Sequence, residues 1–304
     1  MSEFVTVIGG VNMDISAALT APFVPADSVP GQVTLGCGGV ARNIAHNLRL
    51  MGHEVKFVSV FGGETFGEMC WRECQAIDLD LSLSERCEGM RNGLYLCVND
   101  MEGEMRAAVA DTDIIARITP AFLETRIADI NRSALVIADT NISTDALQYL
   151  IDYCTVPLMV DTVSTAKAPR IVKALQQSQS RRLHALKLNL QEAQAVTRCD
   201  TARAAAEHLT AMGVNQVYIT LGGDGVYCSD GTHHEHMKAI PTRVINTTGA
   251  GDAFIAGVAH AQMNQILFPE CAQTGLKAAH ITLLSRQTVN PEISSICTRN
   301  TRAV

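Results

Sequence analysis

The chain has 304 residues, with 24 Lys and Arg against 31 Asp and Glu for a net charge of −7, 47% hydrophobic residues, 5% aromatics and 18% charged residues. Such apolar content fills a sizeable core and excludes a disordered or collagen-like chain. No basic block accumulates to hold nucleic acid or an anionic membrane surface, and no run of 18 apolar residues or leader-like segment occurs, so a soluble cytoplasmic protein with a small-molecule ligand is expected.

Residues 4–8 read as a strand, and Gly-Gly-Val-Asn-Met-Asp over 9–14 puts Asn12 and Asp14 at its carboxyl end, where open α/β sheets keep ligands. Asp14 suits two vicinal sugar hydroxyls; a plain Asn/Asp turn is the alternative. Residues 15–35 hold Pro22, Pro25 and Pro30 without helical periodicity. The glycine cluster at 36–39 enters a helix over 40–51, where Gly38 and Gly39 let backbone approach a ligand and Asn43 offers an amide. Ala41, Ile44, Ala45, Leu48 and Met51 form its apolar stripe, and Gly52 stands at the left-handed stop.

A strand at 55–61 follows, then a helix on which Cys70 and Cys74 flank Trp71 as core or groove lining without a catalytic role. The ten cysteines contain no CxxC pair and read as reduced thiols. Residues 94–98 and 105–110 read as strands around a turn at 101–103. With 15–35 they make a flap outside the main sheet, its segments at about 15–35 and 94–113, with Leu94, Leu96 and Val98 on a buried face. Strands at 134–138, 157–160, 184–188 and 216–221 alternate with helices at 145–153, 201–212 and 250–263. That alternation predicts a doubly wound α/β fold, a mainly parallel sheet flanked by helices, in a single domain over 1–304 with a small β-lid.

Three later clusters carry chemistry. Asn189 and Glu192 follow the strand ending at 188, so Glu192 either holds a water of Mg²⁺ or is a first-turn helix acid. Thr220 precedes Gly222-Gly223-Asp224-Gly225, which either lets a nucleotide lie across the loop or makes a hairpin turn. The run His233-His234-Glu235-His236 lacks helical spacing or a cysteine partner and reads as a solvated loop. The strongest signal is Asn246-Thr247-Thr248-Gly249-Ala250-Gly251-Asp252 opening a helical pattern. Small residues at 249–251 converge N–H groups at a helix N-terminus, where an anion is stabilised. Asp252 beside them is either a base that takes a proton from an attacking hydroxyl or a helix cap.

In that order and spacing these clusters resemble the ribokinase-like (PfkB-type) carbohydrate kinases along essentially the whole chain. The resemblance implies ATP-dependent phosphorylation of a primary hydroxyl, with Asp252 as general base and the amides of Gly249, Ala250 and Gly251 as anion hole. It assigns Asn12, Asp14, Gly38, Gly39, Asn43 and Asn141 to the sugar. Lys187, Asn189, Glu192, Thr220, Gly222, Gly223 and Gly225 go to ATP and Mg²⁺. Asn246 and Thr248 stand where many relatives bind K⁺, with Asn in place of Asp, and Leu188 replaces a common proline. It further implies a homodimer formed through the lid. Residues 137–143 and 160–167, and the neutral Asn141 where ribose-specific relatives place a carboxylate, are similar to members that act on the 5′-hydroxyl of pseudouridine. Another sugar or nucleoside of the same family, or a silent sugar and nucleotide sensor, are the alternatives. Asn99, Asp100, Asp111 and Asp113 near the lid strands are candidates for reading the base.

Overall fold

The protein is described from a computed structural model covering residues 4–299. In chain order the strands are β1 (Phe4–Ile8), β2 (Asn12–Leu19), β3 (Gly31–Gly38), β4 (Glu54–Val58), β5 (Val60–Gly62), β6 (Glu85–Cys87) and β7 (Gly93–Asn99). They continue with β8 (Met105–Asp111), β9 (Leu135–Asp139), β10 (Leu158–Asp161), β11 (Leu183–Asn189), β12 (Val214–Thr220), β13 (Val226–Ser229) and β14 (His234–Met237). The helices are α1 (Val40–Leu50), α2 (Thr65–Ala76), α3 (Pro120–Glu124), α4 (Ile127–Ile130), α5 (Thr144–Tyr153), α6 (Pro169–Gln177), α7 (Leu190–Thr197), α8 (Ala202–Ala211), α9 (Ala250–Met263) and α10 (Cys271–Leu283).

The main sheet runs β14-β13-β12-β11-β10-β9-β1-β4, parallel from β4 to β12, with β13 and β14 added antiparallel at one edge. Parallel strands covered on both faces must be apolar on both, and they are. Val5, Val7, Phe57 and Ile137 join one core with α1, α9 and α10. Ile8, Val58, Val136 and Ala138, the alternate positions, join the other with α5, α6 and α8. Each fully buried branched or aromatic side chain contributes roughly 1.5–3 kcal/mol, so both layers are needed to hold the sheet. From β1 the chain crosses to β4 on one side and later to β9 on the other. The loops leaving β1 and β9 therefore diverge and open a crevice at the carboxyl ends.

Over that crevice lies a separate sheet, β3-β2-β7-β8, in which β2 pairs antiparallel with β3 and parallel with β7. This is the expected lid, with its strands at 12–38 and 93–111. One face repeats Asp14, Ser16, Tyr95, Cys97 and Asn99. The other aligns Ile15 with Leu35 and Leu96, and Leu96 with Val109. The expected burial of this apolar face is not met within one chain. Leu94, Leu96 and Val98 are half-buried, and Val33, Leu35 and Val109 are 63%, 55% and 62% exposed.

Two other expectations change. The run at 55–61 splits at Ser59, because β5 leaves the main sheet to pair with β6. His234 and its neighbours form the edge strand β14 rather than a loop; they are solvent-exposed as anticipated, and His233 pairs with Asp230. Cys70 and Cys74 are fully buried on α2, in hydrogen-bond contact with Cys37 of β3, and no cysteine among the described residues is in a disulfide. No described helix is long and apolar enough to cross a membrane.

Candidate active site

The N-terminus of α9 is built for a close approach. Gly249 sits at φ 84°, and a Cβ there would overlap the carbonyl of Thr288, so only glycine makes this turn without strain. No side chain caps the helix. The capping alternative for Asp252 is thereby excluded: its Oδ2 accepts from Asn43 Nδ2 at 2.8 Å instead. The N–H of Ala250 turns to the carbonyl of Thr247 at 3.3 Å, whereas those of Gly251 and Asp252 have no backbone acceptor among the described residues. Those donors, with the positive end of the helix dipole, face the crevice.

Lys187, from the end of β11, brings its ammonium to 3.0 Å from Asp161 Oδ2 and within 2.7 Å of where a Cβ on Gly251 would stand. Burial alone would push this ammonium's pKa down, but Asp161, Glu192 and Asp252 outweigh it and hold it protonated. Asp252 is 9% exposed. Burial raises its pKa to about 7; Asp161 and Asp139 add to the rise, while the Asn43 hydrogen bond and Lys187 oppose it. A carboxylate poised there accepts a proton from an alcohol near neutral pH and releases it readily.

On the lid side, Gly39 begins α1 at φ 106°, packed so closely on Gly10 that any Cβ would strike the Gly10 carbonyl. Asn12 donates to Asp14 at the start of β2, and burial raises the Asp14 pKa to about 6. Gly38 abuts the Asp14 carboxylate. Asn43 uses its Nδ2 on Asp252, and its buried Oδ1 has no protein partner, leaving an acceptor for a ligand hydroxyl. Asn141 lies on the same wall, its Nδ2 3.2 Å from the Cβ position of Gly10.

Toward the far end of the sheet a cavity of about 600 Å³ is lined by Thr220, Gly222, Gly223, Gly225, Ala250 and Gly251, with Phe254 and Leu276 among its apolar walls. The hairpin turn is made by Gly222 and Gly225 between β12 and β13, and the same backbone walls the cavity. Asn189 and Glu192 form a capping box at α7, with Asn189 Oδ1 accepting from Glu192 N–H at 2.9 Å and Glu192 Oε2 accepting from Asn189 N–H at 2.8 Å. Glu192 Oε2 also takes the Thr162 hydroxyl at 2.7 Å. No described group of three His, Cys, Asp or Glu is placed to hold a metal by itself. A lone carboxylate tied into a capping box suits a water of Mg²⁺ rather than direct ligation of the ion. Asn246 ties its own loop, Nδ2 to the Arg286 carbonyl at 3.2 Å and Oδ1 to Thr248 N–H at 3.0 Å, so it presents no carboxylate to a monovalent cation.

Three contributors, Asp139, Asp161 and Lys167, lie in the segments 137–143 and 160–167 but have no individual role in the sequence analysis. A signal existed for the first two, since β9 and β10 each end in Asp-Thr, placing a carboxylate at the ligand edge of an apolar parallel strand. Among the lid candidates, Asp100 closes its own turn by accepting from the N–H groups of Glu102 and Glu104 and pairs with Arg106, while Asp111 pairs with Arg91. Asn99 alone of the four shares the face of Asp14, with its Nδ2 3.4 Å from Ser16 Oγ.

Residues 2–295 match the pfkB family carbohydrate kinase profile. The chain is 33% identical to the pseudouridine kinase of Escherichia coli K12 over 96% of this chain and 94% of that one. It is 30% identical to the sugar kinase YeiI of the same organism, over 96% and 82%. A structure of Arabidopsis thaliana ribokinase complexed with ribose and ATP superposes with a TM-score of 0.83 at 16% identity, covering 98% of this chain and 99% of that one, which shows the common fold.

Proposed function

Because the chain belongs to the pfkB family of carbohydrate kinases, and is a sugar or nucleoside phosphotransferase with a hydroxyl acceptor, we propose that its acceptor is the 5′-hydroxyl of pseudouridine and its donor ATP. The observation that carries the chemistry is the buried Asp252, freed from capping and aimed by Asn43 beside unpaired N–H donors. Asn12, Asp14, Gly38 and Gly39 surround the ribose hydroxyls, and the free Oδ1 of Asn43 accepts from one of them. Asp252 takes the 5′-hydroxyl proton as the oxygen attacks the γ-phosphorus; the bond to the β-phosphate oxygen breaks and ADP leaves. Charge on the transferred phosphoryl falls on the N–H groups of Gly251 and Asp252 and on the Lys187 ammonium, fixed donors in a site of low dielectric.

The cavity beside Thr220 and Gly222 takes the nucleotide base and ribose. Asn189 and Glu192 would hold a water of Mg²⁺, which when bound would supply neutralisation of phosphate charge. No step is assigned to K⁺ at Asn246 and Thr248, where the amide is already satisfied. The acceptor reading draws on the similarity to pseudouridine kinase and on the neutral Asn141, since a nucleoside lacks a free anomeric hydroxyl. The exposed apolar lid face, we propose, meets the same face of a second copy.

ATP-coupled turnover over pseudouridine, uridine, adenosine, ribose and fructose 6-phosphate tests the substrate, and any other best acceptor refutes it. Asp252→Asn tests the base: turnover falls at least about a hundredfold with ligand binding near wild type. A silent sensor would show no turnover in either protein, and equal activity would reject the assignment.

A further inference from the structure

The carboxyl ends of β9 and β10 carry a chain of polar contacts that phosphoryl transfer leaves unused. Asp139, fully buried, accepts from the N–H groups of Gly10 at 3.3 Å, Ala41 at 3.0 Å and Asn141 at 2.9 Å, and from Asn141 Nδ2 at 2.8 Å. With its amide nitrogen committed, Asn141 turns Oδ1 the other way, and Lys167 Nζ donates to it at 2.6 Å. Two loops are pinned around this contact. Arg170 Nη1 donates to the carbonyls of Thr140, Asn141 and Ile142 at 3.0, 2.8 and 3.2 Å. Val163 is held at φ 60°, a strained conformation for a β-branched residue, by Asp161 Oδ1 accepting its N–H at 2.8 Å.

The product is a half-buried ammonium in a preset position. No carboxylate stands within ion-pair distance of it among the described residues, Asp139 acting on it only from farther off, and one of its three donors is accounted for. It adjoins the wall of the crevice through Asn141, whose Nδ2 lies 3.2 Å from the Cβ position of Gly10 at the end of β1. A donor-only group at that place rewards an acceptor atom on the substrate. A uracil ring supplies one in a fixed position: the carbonyl next to the glycosidic bond, C4=O in pseudouridine and C2=O in uridine. A free pentose has only a hydroxyl there, which water replaces at little cost.

We propose that Lys167, aimed by Asn141, is a specificity-determining residue that donates to the base carbonyl flanking the glycosidic bond of a uracil nucleoside. This rests on the nucleoside reading above. Lys167 therefore selects for the base without distinguishing pseudouridine from uridine, which differ on the opposite ring edge.

The test is steady-state kinetics of the wild type, Lys167→Met and Lys167→Arg with pseudouridine, uridine, ribose and a pentose monophosphate, alongside thermal melting. Loss of a charge-assisted hydrogen bond raises KM for both uracil nucleosides roughly ten- to a hundredfold in Lys167→Met, with kcat within about threefold. The ratio of kcat/KM for nucleoside over ribose falls by the same factor, and arginine restores part of it. An unchanged ratio, because nucleoside and ribose lose together or not at all, overturns the assignment. So does a wild-type preference for the pentose monophosphate, which would give the ammonium to phosphate. A wild type that prefers uridine refutes the pseudouridine reading while leaving Lys167 to be judged on uridine; one that accepts no nucleoside refutes both.

Discussion

Replacing Asn43 by leucine removes the one neutral hydrogen-bond donor to the Asp252 carboxylate among the described residues, at 2.8 Å and out of solvent. A hydrogen bond to a charged group contributes about 1.5–3 kcal/mol, and a pKa unit corresponds to about 1.4 kcal/mol, so the Asp252 pKa rises by roughly one to two units. It starts near 7, because burial and the neighbouring Asp161 and Asp139 exceed the help from Asn43 and Lys187. The variant should therefore titrate near 8 to 9. The base acts only when ionised, so kcat/KM falls as pH drops through this value, and the acid limb moves to the alkaline side. The assay is kcat/KM from about pH 5.5 to 10, which reports the free enzyme. At neutral pH the variant loses roughly fivefold to fiftyfold from protonation alone and regains it in alkali. If the limb stays near 7 and activity is depressed evenly at every pH, Asn43 serves the sugar alone and the proposed electrostatics of Asp252 are wrong.

The remaining expectations concern stability and assembly. Asp252 titrates near 7 when folded and near 3.8 in its ordinary range, so the folded state holds the proton more tightly. Its stabilisation is full below about 3.8 and is lost as pH rises to 7, a cost of up to about 4 kcal/mol above that point. Asp252→Asn, inactive, should melt higher than wild type at pH 8, with the gap closing toward pH 4; equal melting at pH 8 would contradict a buried, ionised carboxylate. Leu35→Asp with Val109→Asp places charges on the exposed lid face and should turn a dimer into a monomer by sedimentation velocity, while an unchanged sedimentation coefficient would remove the lid from the interface.

Continuous apolar runs were sufficient for the parallel strands of the main sheet, alternation for the lid strands, and helical spacing for α9, whose observed span Ala250–Met263 coincides with the periodicity. They were insufficient at 55–61, where one apolar run serves two sheets: a strand's alternation is the same whichever sheet it joins. The histidine run was misjudged for a related reason, since an edge strand has one solvated side and little hydrophobic pattern to mark it.

At the site, local order in the chain was enough for Gly249, Gly251 and Asp252, because a helix N-terminus and its first-turn side chain are made by consecutive residues. Whether Asp252 caps the helix was not decided there; a cap and a base have the same spacing, and its bond to Asn43, 209 residues away, shows that it is not the cap. The same holds for Lys187 opposite Asp161, and for Lys167 on Asn141 over Asp139, contacts made across neighbouring parallel strands. Residue order determines which turns and faces form. Which charges share a dry crevice, and hence which carboxylate keeps its proton, depends on distances that exist only once the strands are side by side.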